Sequence, residues 1–143
     1  MCETQIRIAV VISAGQEWDV VRDVVAHNGM CTSPYGEWCT APVEINGFAE
    51  TAVFFHEGWG KIAAAAATQY VIDRWQPQLI VNLGTCGGFE GAIARETVVL
   101  AERTLVYDLI EQMGDPDAAF AHYATDLDLS WLAEPYPMLV HRG

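Results

Sequence analysis

Two short segments carry residues whose types and spacing could do chemistry. Ser13 to Glu17 ends on a carboxylate, and Gly84 to Gly88 is a glycine-rich loop. A carboxylate can take a proton from a nucleophile, and glycines allow the amide N–H groups of a loop to approach a ligand closely. Each segment also has a purely structural explanation. A glutamate in the first turn of a helix is favourable for the helix dipole, and a glycine-rich loop can serve only to reverse the chain.

The elements that must position these segments are two predicted strands and a helix. Ile6 to Ile12 is a continuous apolar run rich in β-branched residues, which predicts a buried central strand. Ser13, with Gln16 three residues later, fits a capping box, and apolar residues at helical spacing follow. Leu79 to Leu83 predicts a second buried strand, which leads into the glycine-rich loop. Open α/β sheets bind ligands at the carboxyl ends of their strands, and both segments follow such ends.

The rest of the first hundred residues alternates between strand and helix signals. Asn28 to Cys39 is typical of a loop. Asn46-Gly47 predicts a two-residue hairpin turn with Glu50 to His56 as its return strand. Lys61 to Trp75 is rich in alanine and predicts a helix, and Thr97 to Ala101 predicts a strand. Strands that alternate with helices predict an α/β fold: a three-layer sandwich with a mixed, largely parallel sheet.

The C-terminal part of the chain has weaker signals. Gly114 to Pro116 is typical of a turn, Asp126 to Trp131 predicts a short helix, and Met138 to His141 resembles the beginning of another strand. A chain of 143 residues can bury one core. We therefore expect residues 1–143 to form a single domain.

The charge balance excludes several classes of partner. The chain has 7 basic and 19 acidic residues and a net charge of −12, which would repel a phosphate backbone, so a nucleic acid polymer is not expected. No apolar stretch approaches the roughly 20 residues of a membrane span, and Glu3 stands where a signal peptide would be basic. We expect a cytoplasmic protein without a membrane partner.

The cysteines and histidines do not suggest a metal site. Neither CxxC spacing nor an HxxxH or HExxH cluster occurs. In a cytoplasmic protein we expect reduced thiols. We therefore predict no metal site. The residues compared for spacing are Cys2, Cys31, Cys39 and Cys86 and His27, His56, His122 and His141.

Motifs in several parts of the chain, taken together, resemble one superfamily. Gly58 to Lys61 precedes the alanine-rich helix, a strand follows, and Asn82 to Gly88 comes after it. This pattern resembles the nucleoside phosphorylase and nucleosidase superfamily, with the best match to the 5′-methylthioadenosine/S-adenosylhomocysteine nucleosidases. The N-terminal strand with its glutamate, the Asn-Gly hairpin, the G-x-G-K helix start and the G-[ST]-x-G-G loop occur in the family's order. They extend from Ile6 to about Asp108.

The resemblance implies roles for five residues. Glu17 falls at the glutamate that activates the attacking water in the family. Thr85, Cys86 and Gly87 fall at the loop that faces the ribose and the purine. Ala14 falls where a residue near the ribose is expected. The resemblance thus implies hydrolysis of the N-glycosidic bond of a purine nucleoside, such as 5′-methylthioadenosine or S-adenosylhomocysteine, without a cofactor.

The basic residues favour water over phosphate as the nucleophile. A phosphate dianion would need arginines to hold it. Between Ile8 and Asp23 the only basic residue is Arg22, and the glycine-rich loop has none. Lys61 is the one plausible anion ligand, although it can equally be a solvated residue at a helix start. A purine nucleoside phosphorylase remains the alternative enzyme.

The resemblance also shows differences from the family. Members typically continue well beyond this length, with the ribose-binding glutamates and the aspartate that protonates the purine in the later part, so we expect a C-terminally truncated N-terminal portion of the fold. The chain departs from the family at Ala94 to Glu96, where a Val-Gly-Asp-like turn is usual, and at Cys86, where alanine is common. The alternative to an enzyme is a fragment or a catalytically silent nucleoside-binding or dimerisation module.

We expect the chain to form a homodimer. An incomplete sheet exposes an edge that invites pairing with another copy. The helix Lys61 to Trp75 or the region of Trp131 is the expected interface. The segment Tyr107 to Met113 loosely resembles one that reaches the neighbouring subunit's pocket in the family's dimers.

Overall fold

A computed structural model describes residues 5–106, 115–130, 132 and 139–141. These residues fall into two compact units, with the division between Cys86 and Gly87. The expectation that 1–143 form a single domain stays a prediction. The segment Tyr107 to Met113 and Trp131 lie outside the described residues.

The first unit contains a five-stranded sheet and two helices. The strands lie in the order β2-β3-β4-β1-β5. Their bounds are β1 Ile8–Ile12, β2 Cys31–Ser33, β3 Gly36–Ile45, β4 Phe48–His56 and β5 Leu79–Asn82, and the helices are α1 Gly15–Val24 and α2 Lys61–Trp75.

The sheet is mixed, as predicted. Strand β1 pairs in parallel with β4 on one side and with β5 on the other. Strands β2, β3 and β4 pair antiparallel. Because β4, β1 and β5 run in the same direction, the residues that follow their carboxyl ends lie at one edge of the sheet.

Both faces of the sheet are covered, which confirms the three-layer α/β architecture. All five residues of β1 are buried, and they alternate between the faces with the period of a strand. Val10 and Ile12 pack in the core that includes Trp18 of α1. Val11 packs in the core that includes Val71 of α2. Each helix therefore covers a different face of the same central strand.

The hairpin between β3 and β4 confirms the turn predicted at Asn46-Gly47. The φ angles are 53° at Asn46 and 80° at Gly47, as a type I′ turn requires. Strand register begins directly beside the turn, where Ile45 pairs with Phe48. The hairpin therefore carries β4 back to the centre of the sheet beside β1.

The prediction of a loop over Asn28 to Cys39 was wrong in part, because a second hairpin lies there. Residues 31–33 form β2, and β3 begins at Gly36. The Ser33 hydroxyl closes the turn by donating to the Gly36 carbonyl oxygen at 2.9 Å. Gly36 has a φ of 151°, and a Cβ there would collide with the His56 carbonyl oxygen of β4. The turn residues that suggested a loop instead join two strands.

The second unit contains shorter elements. They are β6 Val99–Ala101, β7 Arg103–Leu105, α3 Pro116–His122, β8 Ala124–Asp126 and β9 Leu139–His141. Strands β6 and β9 pair in parallel, and β7 and β8 pair antiparallel. The strands predicted near 97–101 and 138–141 are confirmed.

The helix predicted over Asp126 to Trp131 was wrong. The helix lies earlier, at Pro116–His122, and Asp126 ends β8. Asp115 is the N-cap, and its Oδ1 accepts a hydrogen bond from the Asp117 amide at 3.0 Å. Proline is favourable at the first helical position, since its missing N–H would have no partner there. Asp115-Pro116, interpreted as part of a turn, is therefore a helix start. Within the described ranges, no helix has the length and apolar character needed to cross a membrane.

Candidate functional site

The carboxylate of Glu17 and the loop after β5 meet at the carboxyl edge of the sheet. Glu17 Oε1 accepts two hydrogen bonds from Thr85, one from the backbone amide and one from the side-chain hydroxyl, each at 2.6 Å. These residues are 68 positions apart in the sequence. The pairing arises because β1 and β5 are neighbours, and the Leu83 amide extends their pairing by donating to the Val11 carbonyl oxygen at 3.0 Å.

The glycine before Thr85 allows this close approach. A Cβ on Gly84 would lie 3.0 Å from Glu17 Oε2 and 3.4 Å from Oε1. Any larger residue would therefore press directly against the carboxylate. Gly84 has no positive φ, so the reason for glycine at this position is space at the Glu17 carboxylate rather than backbone conformation.

A cleft of about 430 Å³ lies beside this pair. Its walls are mainly apolar, and the Glu17 carboxylate and the loop after β5 supply the polar groups. A concave apolar site with a few convergent polar groups is the usual form of a small-molecule site. Its lining residues are Ile12, Gln16, Glu17, Val20, Val21, Leu83, Gly84 and Thr85.

The start of α1 differs from the predicted capping box. The N-cap is Ala14, and no side chain caps the helix. The Ser13 hydroxyl instead donates to Glu57 Oε1 at 2.7 Å. Glu17 occupies the third helical position after Ala14, which is where a side chain can reach back to the N-cap amide. A backbone hydrogen bond at Ala14 does contribute to holding the Glu17 carboxylate.

The contacts of Glu17 favour its ionised form. The hydrogen bond from the Thr85 hydroxyl, followed by that from the Thr85 amide, lowers the pKa of Glu17 below its ordinary value. Partial burial opposes this lowering, and a backbone hydrogen bond at Ala14 adds a smaller one. Glu17 is therefore a carboxylate at neutral pH. The ionised side chain stabilises the fold above the ordinary glutamate pKa of about 4.3, and this contribution is lost as the pH falls through the lowered folded-state pKa.

Replacing Thr85 by valine tests the cause of the lowered pKa. The variant keeps the backbone amide but loses the hydroxyl, so we expect the pKa of Glu17 to rise toward its ordinary value. An NMR titration of the Glu17 side-chain carboxyl carbon measures this. Thr97→Val is the matched control, because the Thr97 hydroxyl donates to the Ala94 carbonyl oxygen. An equal midpoint in Thr85→Val and the parent protein would exclude the hydroxyl as the cause.

The other predicted site residues lie in different positions. Cys86 is an exposed free thiol directly after Thr85 and does not line the cleft. Gly87 is the first residue of the second compact unit. Lys61 begins α2, which covers the sheet face opposite α1, and it does not line the cleft either. The structure brings Glu17 and Thr85 into contact, and Ala14 is the N-cap of the helix that carries Glu17. The roles of all these residues remain predictions.

One buried acidic residue at this edge was not predicted from the sequence. Glu57 follows β4 directly and is 4% exposed. Its Oε1 accepts from the Ser13 hydroxyl at 2.7 Å, and its Oε2 accepts from the Thr68 hydroxyl at 3.4 Å. A glutamate at the end of an apolar strand, just before Gly58-Trp59-Gly60, is the signal that could have drawn attention to it, since glutamate is rarely fully buried.

His56, beside Glu57 at the end of β4, contacts α1. Its ring stacks on Trp18, with 5.6 Å between ring centroids and 7° between planes. Its Nε2 is buried and has no hydrogen-bond partner within the part of the chain that the structure describes. In the same described part, no three His, Cys, Asp or Glu side chains are arranged to hold a metal ion.

Comparison with known proteins shows the family of this chain. The family model of the Phosphorylase superfamily matches residues 7–135. The 5′-methylthioadenosine/S-adenosylhomocysteine nucleosidase of Colwellia psychrerythraea is 37% identical over 57 residues, which are 40% of this chain and 24% of that protein. The nucleosidase of the same name from Lysinibacillus sphaericus is 26% identical over 136 residues, which cover 90% of this chain and 56% of that protein.

A solved structure has the same fold. The crystal structure of 5′-methylthioadenosine/S-adenosylhomocysteine nucleosidase from Neisseria meningitidis, in complex with methylthio-immucillin-A, superposes with a TM-score of 0.66 at 21% identity. The match covers 86% of this chain and 53% of that chain. The chain thus spans at most about half the length of these relatives. Because the family model covers most of the sequence, the chain belongs to the Phosphorylase superfamily.

Proposed function

We propose that the protein hydrolyses the N-glycosidic bond of a purine nucleoside, with 5′-methylthioadenosine or S-adenosylhomocysteine as the substrate. The observation that carries the proposal is the Glu17 carboxylate, which is held by two 2.6 Å hydrogen bonds from Thr85 and lines an apolar cleft. The names of the relatives support the choice of substrate.

In the proposed reaction Glu17 is the general base. A water oxygen bonds to the anomeric carbon of the ribose while the bond from that carbon to the purine nitrogen breaks. Glu17 takes the proton from the water. The electron pair of the broken bond leaves with the purine, which takes up one proton. Among the described residues we assign no side chain as the acid that supplies this proton.

The two oxygens of Glu17 suit different tasks. Oε1 accepts both hydrogen bonds from Thr85, which fixes the carboxylate in one orientation. Oε2 accepts neither bond from Thr85 and lies beside Gly84, where no side chain obstructs it. We assign Oε2 as the oxygen that receives the proton of the water. The lowered pKa of Glu17 keeps this oxygen deprotonated at neutral pH.

Measurement of free-base release tests this function. The purified protein is incubated with methylthioadenosine, S-adenosylhomocysteine, adenosine and inosine in phosphate-free buffer, and free base is measured by chromatography. We expect adenine from the first two nucleosides. Calorimetry on the same samples measures binding. Tight binding without release of any base would contradict hydrolysis and favour the silent nucleoside-binding module.

We also propose a cytoplasmic homodimer in which α2 forms the interface. Two large exposed apolar side chains support the interface: Trp59, just before this helix, is 74% exposed, and Ile62, in its first turn, is 88% exposed. Exposed apolar side chains that lie together often mark a protein contact. Sedimentation equilibrium of Ile62→Lys beside the parent protein tests the interface, and an unchanged dimer in the variant would exclude it.

A further inference from the structure

Glu57 joins three elements at the carboxyl edge of the sheet. Its backbone amide donates to the Ile12 carbonyl oxygen at 2.9 Å, which holds the last residue of β1. Its carboxyl accepts from the Ser13 hydroxyl at 2.7 Å and from the Thr68 hydroxyl of α2 at 3.4 Å. Among the described residues, Glu57 is the only polar or charged residue that is buried.

Burial of an acidic side chain is costly unless hydrogen bonds compensate for it. Each carboxyl oxygen of Glu57 accepts a hydrogen bond from a hydroxyl, one from Ser13 and one from Thr68. A purely structural residue at this position could be apolar. The Ser13 bond indicates the function of Glu57, because its donor lies on the turn that leads to Glu17 and the bond is shorter than the one from Thr68.

The N-cap of α1 does not hold the turn between β1 and α1 through a side chain. Ala14, the N-cap, offers no side-chain capping bond, and the Ser13 hydroxyl is directed to Glu57, 44 residues along the chain. A tertiary hydrogen bond from Ser13 therefore holds the turn that leads into the first helical turn. Glu17 lies in that first turn, and its two bonds to Thr85 require the carboxylate to be placed accurately.

We propose that Glu57 is a positioning residue: by holding Ser13 it fixes the turn between β1 and α1 and thereby the direction of the Glu17 carboxylate. Glu57 acts through Ser13 and does not itself contact the nucleoside. The inference rests on the proposed function only in the role given to Glu17, since the placement of its carboxylate can be measured without turnover.

The test compares the two hydroxyls that Glu57 accepts. Ser13→Ala and Thr68→Ala each remove one hydrogen bond to Glu57, but only Ser13 lies on the turn. The readout is the Thr85 backbone amide, followed by ¹⁵N–¹H NMR as Glu17 titrates. We expect Ser13→Ala to shift the amide signal and raise its titration midpoint, and Thr68→Ala to leave both unchanged. Equal effects of the two variants, or none, would overturn the proposal.

Substitution of Glu57 itself completes the test. Glu57→Gln keeps an acceptor oxygen for Ser13, so we expect it to preserve the Thr85 signal. Glu57→Ala is expected to behave as Ser13→Ala does, and Ser13→Ala alone decides the question if Glu57→Ala does not fold.

If the parent protein releases free base, Ser13→Ala should lower kcat about 10-fold to 100-fold with little change in KM. If the parent protein releases no base but the Thr85 signal responds as expected, the proposed function fails and the positioning role of Glu57 stands.

Discussion

Replacing Glu17 by glutamine is expected to lower kcat by about 10²-fold to 10⁴-fold, the range of a lost general base. Glutamine has the same shape, and its amide oxygen can still accept hydrogen bonds from Thr85, so the fold and most of the nucleoside binding should remain. It cannot take a proton from water. Steady-state release of free base measures kcat and KM, and thermal unfolding of the same samples measures stability.

The matched control for this variant is Asp23→Asn on the same helix. Asp23 is an exposed acidic residue of α1 and does not line the cleft. Asp23→Asn changes the net charge by the same amount as Glu17→Gln, and we expect this variant to leave kcat unchanged. Loss of activity in both variants would indicate a general charge effect, and full activity in Glu17→Gln would remove Glu17 from the mechanism.

Replacing Phe55 by alanine is expected to lower the free energy of unfolding by about 3–5 kcal/mol, as truncation of a buried aromatic residue does. Phe55 of β4 is 0% exposed. Its ring lies 5.8 Å from that of Tyr70 and 6.3 Å from that of Trp75, measured between centroids. Both partners belong to α2, so the variant removes the centre of the contact between this helix and the sheet. Urea denaturation, followed by circular dichroism, measures the loss.

Phe48→Ala on the same strand is the control for Phe55→Ala. Phe48 stands at the other end of β4 and is 72% exposed. Exposed substitutions usually change the free energy of unfolding by less than about 0.5 kcal/mol. A similar loss in the two variants would contradict the packing of α2 on β4 that the structure describes.

The elements that the sequence predicted well are those in which local and tertiary preferences agree. The alanine-rich helix was predicted at the bounds found, Lys61–Trp75. The turn at Asn46-Gly47 was recognised because few residues other than asparagine and glycine adopt positive φ there. The apolar run of β1 predicted a central strand, and its five buried residues lie between two parallel neighbours.

The errors occurred where polar or turn-forming residues serve tertiary structure. The hairpin of β2 and β3 contains turn residues, but its pairing is decided by contacts with β4, which are distant in sequence. Ser13 fits a capping box locally, yet its hydroxyl bonds to Glu57. The short helix α3 begins at a proline, which was interpreted as part of a turn.

The candidate site was predictable only in part, for a physical reason. Glu17 alone is consistent with a helix-end charge, and the loop of Thr85 alone is consistent with a tight turn. Their two hydrogen bonds join residues that are far apart in sequence, so the pairing depends on strand order, which local patterns do not determine. The family resemblance suggested both residues. It did not suggest Glu57, whose proposed role is argued from its burial and from its hydrogen bond with Ser13.

Isotope tracing tests most directly whether the protein cleaves the nucleoside with water. The purified protein is incubated with methylthioadenosine in ¹⁸O-labelled water that also contains phosphate, and the products are analysed by mass spectrometry. We predict free adenine without label, and a methylthioribose that has gained one ¹⁸O atom at its anomeric carbon. A methylthioribose phosphate formed in place of the labelled sugar, or the absence of free adenine, would contradict hydrolysis by water.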